Sequence, residues 1–260
     1  AVLSLTAFAD VTYYVSPGGD GTDPTSGDLT KAYAHPQTAI DAADGVEPTT
    51  IIVDDGTYAC QDNTKRDSVV TIDKSNITLK ARNAGEVTID GGTTDPAGTF
   101  SLRRAITVNA SLTDIAVEGL IFLNGMSSSN GKKATTILAS SGAFTDCEFH
   151  GYYMKRCNIY QVGGTSAFTN CLFSPSSTAL SAGDLDNYQM AISGDAKLVN
   201  CQICDFKWWT GASGHVLSVN GVGAVLEKCV ISGCTDGYPD GTDPAGAKDG
   251  VVNLTAGTLD

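Results

Sequence analysis

Between residues 117 and 231 one short pattern of apolar and polar positions returns five times: VEGLIF (117 to 122), FTDCEF (144 to 149), FTNCLF (168 to 173), LVNCQI (198 to 203) and LEKCVI (226 to 231). Superposed, these segments give three apolar columns. The first is Val117, Phe144, Phe168, Leu198 and Leu226; the second is Leu120, Cys147, Cys171, Cys201 and Cys229; the third is Phe122, Phe149, Phe173, Ile203 and Ile231. A polar or turn-forming column of Gly119, Asp146, Asn170, Asn200 and Lys228 lies between the first two. Members of the second column are 27, 24, 30 and 28 residues apart. A unit that short cannot bury its own apolar side chains, so the units must stack on one continuous core.

Inside each unit the apolar residues alternate with outward ones, as Cys147 and Phe149 do about Glu148, which is the two-residue period of a strand. No window keeps a 3.6-residue period long enough for a helical solenoid. The pattern therefore predicts an all-β chain coiled into a parallel β-helix, with Leu120, Cys147, Cys171, Cys201 and Cys229 stacked in a core ladder. The Asp and Asn column falls where one strand must bend into the next, a corner these residues tolerate, and stacked Asn side chains can hydrogen-bond from coil to coil. Nearer the start, Ile51-Ile52-Val53, Val70-Thr71-Ile72, Ile77-Thr78-Leu79 and Val87-Thr88-Ile89 predict shorter, less regular strands, with Asp55-Gly56 as a turn. An open solenoid end exposes core and strand edge, and PQTAIDAAD (36 to 44) predicts a short capping helix over it. Pro36 sits in its first turn, Ala39, Ile40 and Ala43 share a face, and Gly45 is the expected stop.

Composition supports this picture, with 29 Gly among 260 residues, 42% hydrophobic and only 17% charged. It suits many short strands and excludes disorder. We expect a single β-helix domain over 10–260, about eight coils and about 40 Å long. Residues 1–9 (AVLSLTAFA) form an apolar run closing on small-x-small before Asp10, which reads as the tail of a secretory signal peptide, a first strand being the other reading. At the far end, Ala256 to Asp260 enters the same motif as Ala224 to Lys228 and breaks off, so the domain is expected to be truncated at its C-terminus. No stretch reaches the ~18 apolar residues of a spanning helix, so no membrane insertion by this segment is expected.

Three segments carry a family resemblance: YYVSPGGDGTDP (13 to 24), the TAIDAA helix (38 to 43) and IIVDDGTY (51 to 58). They resemble the opening block of right-handed parallel β-helix proteins of the pectate-lyase-like superfamily. The resemblance covers nearly the whole mature chain. It implies a secreted bacterial protein and a right-handed coil. It does not imply one activity, because secreted polysaccharide lyases, autotransporter-type passengers and large surface proteins share this scaffold.

Eight cysteines in a secreted chain would ordinarily suggest a disulfide framework. The inward placement of Cys147, Cys171, Cys201 and Cys229 argues instead for free thiols acting as small hydrophobes, since parallel Cβ vectors suit a bridge poorly. Cys60, Cys157, Cys204 and Cys234 lie off that column, and a bridge among them stays open. Metal binding by Cys201-x-x-Cys204 has no second pair to complete it, and the histidines are His35, His150 and His215.

The formal net charge is −13, which disfavours nucleic-acid partners and makes the placement of the basic residues informative. Arg103-Arg104, Lys132-Lys133 and Lys155-Arg156 each precede a coil's first strand. Stacked coils would set like charges close together, a repulsion that an anionic ligand relieves. The superfamily resemblance places its substrate groove along that face, so an acidic polysaccharide or cell-surface glycan is the expected partner, a solvated basic turn being the plainer alternative. Tyr152, Tyr153, Trp208 and Trp209 fall at turns that could stack sugars or pack against a loop. In DGYPDGTDPAGAKD (236 to 249), Asp236, Asp240 and Asp243 are candidate Ca2+ ligands, against a plain Asp-Gly and Asp-Pro turn; no other cofactor is indicated. Asp184, Asp186 and Asp195 with Arg104 or Arg156 as base are the candidates for lyase or hydrolase chemistry, but no catalytic motif is matched, so the catalytic residues are unassigned. Two functions remain: a secreted, adhesin-like surface protein that contacts extended acidic polysaccharide, or a polysaccharide-degrading enzyme.

Overall fold

The computed structural model describes residues 10–60, 68–92, 103–126, 137–151, 160–175, 190–208, 217–236, 252–254 and 257–259. Each full coil contributes one strand to each of three sheets. A representative coil runs Ile137–Ala139 in the third sheet, Ala143–Thr145 in the first and Glu148–Gly151 in the second, and the chain re-enters the third sheet at Tyr160–Val162. The first sheet has nine strands, from Val11–Val15 to Thr258–Leu259. The second has seven and the third eight. Nine rungs leave eight spacings of about 4.8 Å, a length of about 38 Å. The described pairings are parallel except one, where Gly125–Met126 runs antiparallel to the start of Arg103–Val108.

Register follows the apolar columns. Phe144 pairs with Val117 on one side and Phe168 on the other, and Phe149 pairs with Phe122 and Phe173. Phe122, Phe149 and Phe173 stack with centroids 5.1 and 4.9 Å apart, and Phe144 lies 4.7 Å from Phe168. Every one of these rings is fully buried.

The polar column makes the corner between the first and second sheets. Gly119, Asp146, Asn170, Asn200 and Lys228 all take a positive φ, between 52° and 70°. The side chains link coils: Asn170 Nδ2 donates to Asp146 Oδ1 at 3.0 Å, and Asn200 Nδ2 donates to Asn170 Oδ1 at 2.8 Å. Lys228 occupies the same corner without the short side chain that eases it. A left-handed conformation costs an ordinary residue about 1–2 kcal/mol and Asn less, so Lys228→Asn is expected to stabilise the fold by about 1 kcal/mol. A rightward shift of the urea midpoint at unchanged slope checks this.

Each corner is followed by a ladder residue. Leu120, Cys147, Cys171 and Cys201 are buried, while Cys229 is partly open. The thiols do more than fill space. Each points at two carbonyls, one two residues back and one on the preceding coil: Cys201 Sγ lies 3.4 Å from the Val199 oxygen and 3.5 Å from that of Phe168, and the other three repeat this arrangement. All four are free thiols, as are Cys60, Cys204 and Cys234; Cys157 lies outside the described residues. Cys234 has the same carbonyl contacts at the next corner, after Gly233.

The neighbouring thiol of Cys171, followed by burial, pushes the Cys201 thiol from the ordinary 9.0 up to about 12. Cys171 and Cys229 are raised for the same reasons. From pH about 9 to about 12 the unfolded chain has lost protons that the folded ladder keeps. The thiols' contribution is therefore complete below pH 9 and declines as the pH rises through that window. Urea titrations at pH 8, 10 and 11 should show that alkaline loss, and it should be smaller in Cys201→Ala.

A second corner, between the third and first sheets, rests on glycine. A Cβ on Gly164 would lie 2.0 Å from the Ser140 oxygen, and one on Gly221 would lie 2.1 Å from the Gly194 oxygen. Backbones of successive coils touch here, and no side chain fits between them.

The N-terminal helix spans Pro36–Ala42. It is shorter than 36 to 44: Ala43 turns extended and closes it, two residues before Gly45. Lys74 explains the early end, because its ammonium donates to the carbonyls of Ile40, Asp41 and Ala43 at 3.2, 2.8 and 2.6 Å. His35 is the N-cap, with Nδ1 accepting from the Gln37 N–H at 3.1 Å. Gln37 Oε1 accepts from the Thr71 N–H at 2.6 Å and its Nε2 donates to the Thr71 carbonyl, so one amide side chain pairs with the edge strand Ser68–Ile72 as another strand would. The strand Val11–Val15 precedes all of this; the apolar pattern did not reveal it.

Candidate functional site

The helix, the strand Ser68–Ile72 and the strand Arg103–Val108 enclose a groove of about 530 Å3 on the outer side of the third sheet. Gln37, Asp41, Asp73, Arg104, Thr107 and Asn109 line it. The sequence places these residues here for identifiable reasons. Asp41 is one turn beyond Gln37 on the helix, and Gln37 Nε2 donates to Asp41 Oδ1 at 2.8 Å. Thr71 and Thr107 face each other in register on adjacent strands, and Asp73 follows the first of these strands as Asn109 follows the second. The hydroxyls of Ser68 and Thr107 are 2.6 Å apart and buried. The set combines a planar guanidinium, two carboxylates, two amides and paired hydroxyls, groups able to hold a polyhydroxylated chain that also carries carboxylates.

Along the same sheet the backbone register continues from Thr107 through one residue per coil: Leu138, Gln161, Ala191, Ser218 and Asn253. A second, smaller groove of about 390 Å3 follows the Asp146, Asn170, Asn200 and Lys228 corner, with Glu148 and Gln202 on its second-sheet side.

Of the glycan-binding candidates, Arg104 is the one among the described residues that lines a groove. Arg103 and Arg104 do not precede their strand; they are its first two residues, held by the antiparallel Gly125–Met126 pairing. Trp208 is not in a turn but in the two-residue strand Lys207–Trp208, in register with Asp236 of Thr235–Asp236, so Asp236 belongs to a strand as well. Phe206, two residues before Trp208, is fully buried. Asp195 is at the glycine corner, three rungs or about 14 Å from the strand of Arg104, so the structure does not bring that pair together. Lys132, Lys133, Tyr152, Tyr153, Lys155, Arg156, Asp184, Asp186, Trp209, Asp240 and Asp243 lie outside the described residues, as do residues 1–9. Among the described residues no group of three or more His, Cys, Asp or Glu is arranged to hold a metal ion, and no helix is long and apolar enough to cross a membrane. In the described Asp-Gly-Thr-Asp-Pro copy at 20 to 24, Asp20 Oδ1 accepts from both the N–H and the hydroxyl of Thr22.

The topology also exposes a pair that the sequence reading missed. Lys65-Arg66 falls between Gly56–Ala59 and Ser68–Ile72, the same connection, one coil earlier, as the residues before Arg103–Val108. With it, three of four consecutive passages from the second sheet to the third carry a dibasic pair, and the fourth pair, Arg103-Arg104, opens the strand that its passage leads to.

No protein-family model matches the sequence, and no curated protein does. Solved structures do match. Pectin methylesterase PemA from Erwinia chrysanthemi superposes with a TM-score of 0.54 at 17% identity, over 87% of this chain and 67% of that one. Pectin methylesterase from carrot gives 0.54 and 17%, over 86% of this chain and 63% of that one. A pectin methylesterase in complex with a hexasaccharide gives 0.54 and 18%, over 91% and 74%. The fold is the right-handed parallel β-helix. At such low identity the likeness is one of architecture, and the β-helix must be read for function from its own residues.

Proposed function

We propose that this β-helix is an extracellular, surface-displayed protein that binds an extended acidic polysaccharide along the outer face of its third sheet, with Arg104 anchoring a carboxylate at the groove beside the helix. The observation that carries the reading is Arg104 placed among Thr107, Asn109 and Asp73 at the head of a row that repeats once per coil. The four dibasic pairs support it, because they recur on the connection that leads into this sheet or at the start of its strand, and their mutual repulsion is lowered by an anion. A hydrogen bond to a charged group contributes about 1.5–3 kcal/mol. Arg104→Ala is therefore expected to weaken binding to polygalacturonate by about tenfold or more, read by isothermal titration. Binding should also fall as salt rises from 0.1 to 1 M and the Debye length shrinks from about 10 to about 3 Å. Equal affinity in wild type and Arg104→Ala sinks the proposal.

A second reading has one specific observation behind it: Asp41 and Asp73 share the groove with Arg104. Two carboxyls and a cation facing one cavity are the equipment of a polysaccharide-processing enzyme, and the proteins that share the fold are named pectin methylesterases. Methanol release from methylated pectin, new reducing ends or unsaturated-product absorbance, lost in Asp73→Asn, would replace the binding reading with this one.

A further inference from the structure

On the outer face of the second sheet, away from that groove, three side chains form a continuous hydrogen-bonded array. Glu148 and His150 are two residues apart on the strand Glu148–Gly151 and so share its outward face. His150 pairs in register with Ser174 of the next coil. His150 Nε2 lies 2.8 Å from Glu148 Oε2, and His150 Nδ1 lies 2.7 Å from Ser174 Oγ. With the Nε2 proton donated to the carboxylate, Nδ1 is left as an acceptor for the serine hydroxyl. A nucleophile within reach of a base that a third group orients is the signature of an activated serine. The ring is reversed relative to the Ser-His-Asp arrangement of serine proteases, in which Nε2 faces the hydroxyl.

We propose that Ser174, His150 and Glu148 form a nucleophilic site that hydrolyses small acyl esters. The surroundings fit an acyl group. Ile121 and Leu172 flank Glu148 in register and Leu123 flanks His150, so half-buried apolar side chains border the array on an outward sheet face. Ser174 itself is buried, at 8%, and the approach to it is over the His150 and Glu148 side chains, which are open to solvent at 24% and 44%. Cys204, on the next strand, is a poor competitor, because burial and Asp205 push its thiol up and keep it protonated.

In the reaction, Ser174 Oγ forms a bond to the ester carbonyl carbon and its proton passes to His150 Nδ1. The tetrahedral adduct expels the alcohol, which takes that proton from Nδ1, and acyl-Ser174 remains. Water then attacks the acyl carbon, giving one proton to Nδ1. The carboxylic acid leaves as the bond to Ser174 breaks, and Ser174 Oγ recovers the proton from Nδ1. Glu148 is a positioning residue throughout.

The test uses the folded wild-type chain with a fluorophosphonate probe and with p-nitrophenyl acetate. Peptide mass spectrometry should find the phosphonate on Ser174, and turnover should vanish in Ser174→Ala, whose fold is checked by circular dichroism. His150→Gln should slow labelling about a hundredfold or more, the usual worth of a general base. Glu148→Gln should lower kcat while leaving KM unchanged, with partial recovery in Glu148→Asp. An unlabelled Ser174 in the wild type, or ester turnover that survives in Ser174→Ala, overturns the assignment. Either result leaves the glycan groove untouched, since no residue is shared.

Discussion

Phe149→Ala should cost the fold about 3–5 kcal/mol, the range for truncating a buried phenylalanine. The upper part of that range applies. Phe149 is the middle ring of the Phe122, Phe149 and Phe173 stack, and it also meets Phe144 and Phe168 edge-on at 5.9 and 5.8 Å. Its removal opens a cavity bordered by four aromatic rings on three successive coils. Those rings are fixed by strands in register, so they cannot collapse into the gap. Chemical denaturation should show a lower midpoint, and Phe149→Leu should recover a large part of the loss.

Gly221→Ala should be as damaging although it adds a single methyl group. The new Cβ would sit 2.1 Å from the Gly194 oxygen and 2.5 Å from the Gly194 nitrogen, both backbone atoms that no rotamer change can move. Relief requires the two coils to separate at that corner, which breaks ladder hydrogen bonds such as that from the Asn220 N–H to the Ile192 carbonyl. We expect a loss of about 4 kcal/mol or more, at the exceptional end for a point substitution. Gly18→Ala, where the added atom meets nothing within 4 Å, should be near neutral in the same assay. Equal midpoints for the two variants would show that the coils do not touch at this corner.

The apolar columns were legible because a stacked coil forces its inward positions to recur, and the Asn corner was legible because few residues accept a positive φ. The glycine corner left no such trace. Its constraint is backbone against backbone, satisfied by Gly164, Gly194 and Gly221 in differing local sequences. Arg104 was legible from its charge, but its groove was not, since residues 37, 41, 73, 104 and 109 come from a helix and two strands with no shared spacing. Lys65-Arg66 escaped notice because the early coils lack the cysteine motif that aligns the later ones. The Ser174 array needed the register: residues 150 and 174 are 24 apart, the same step as Cys147 to Cys171, and only stacking turns that number into contact.

The uneven steps between ladder residues have a consequence for how such a protein changes. From the third-sheet strand to the ladder cysteine the chain lengths hardly vary: Ile137 to Cys147, Tyr160 to Cys171 and Met190 to Cys201 span 10, 11 and 11 positions. From the second sheet back to the third they vary widely, 11 positions from Phe149 to Tyr160 but 17 from Phe173 to Met190. Two corners are locked, by left-handed residues and by touching backbones, so added residues are absorbed at the third. The molecule thus has one seam at which segments can be exchanged or lengthened, at a closure cost that grows only logarithmically, while the scaffold beneath keeps its register.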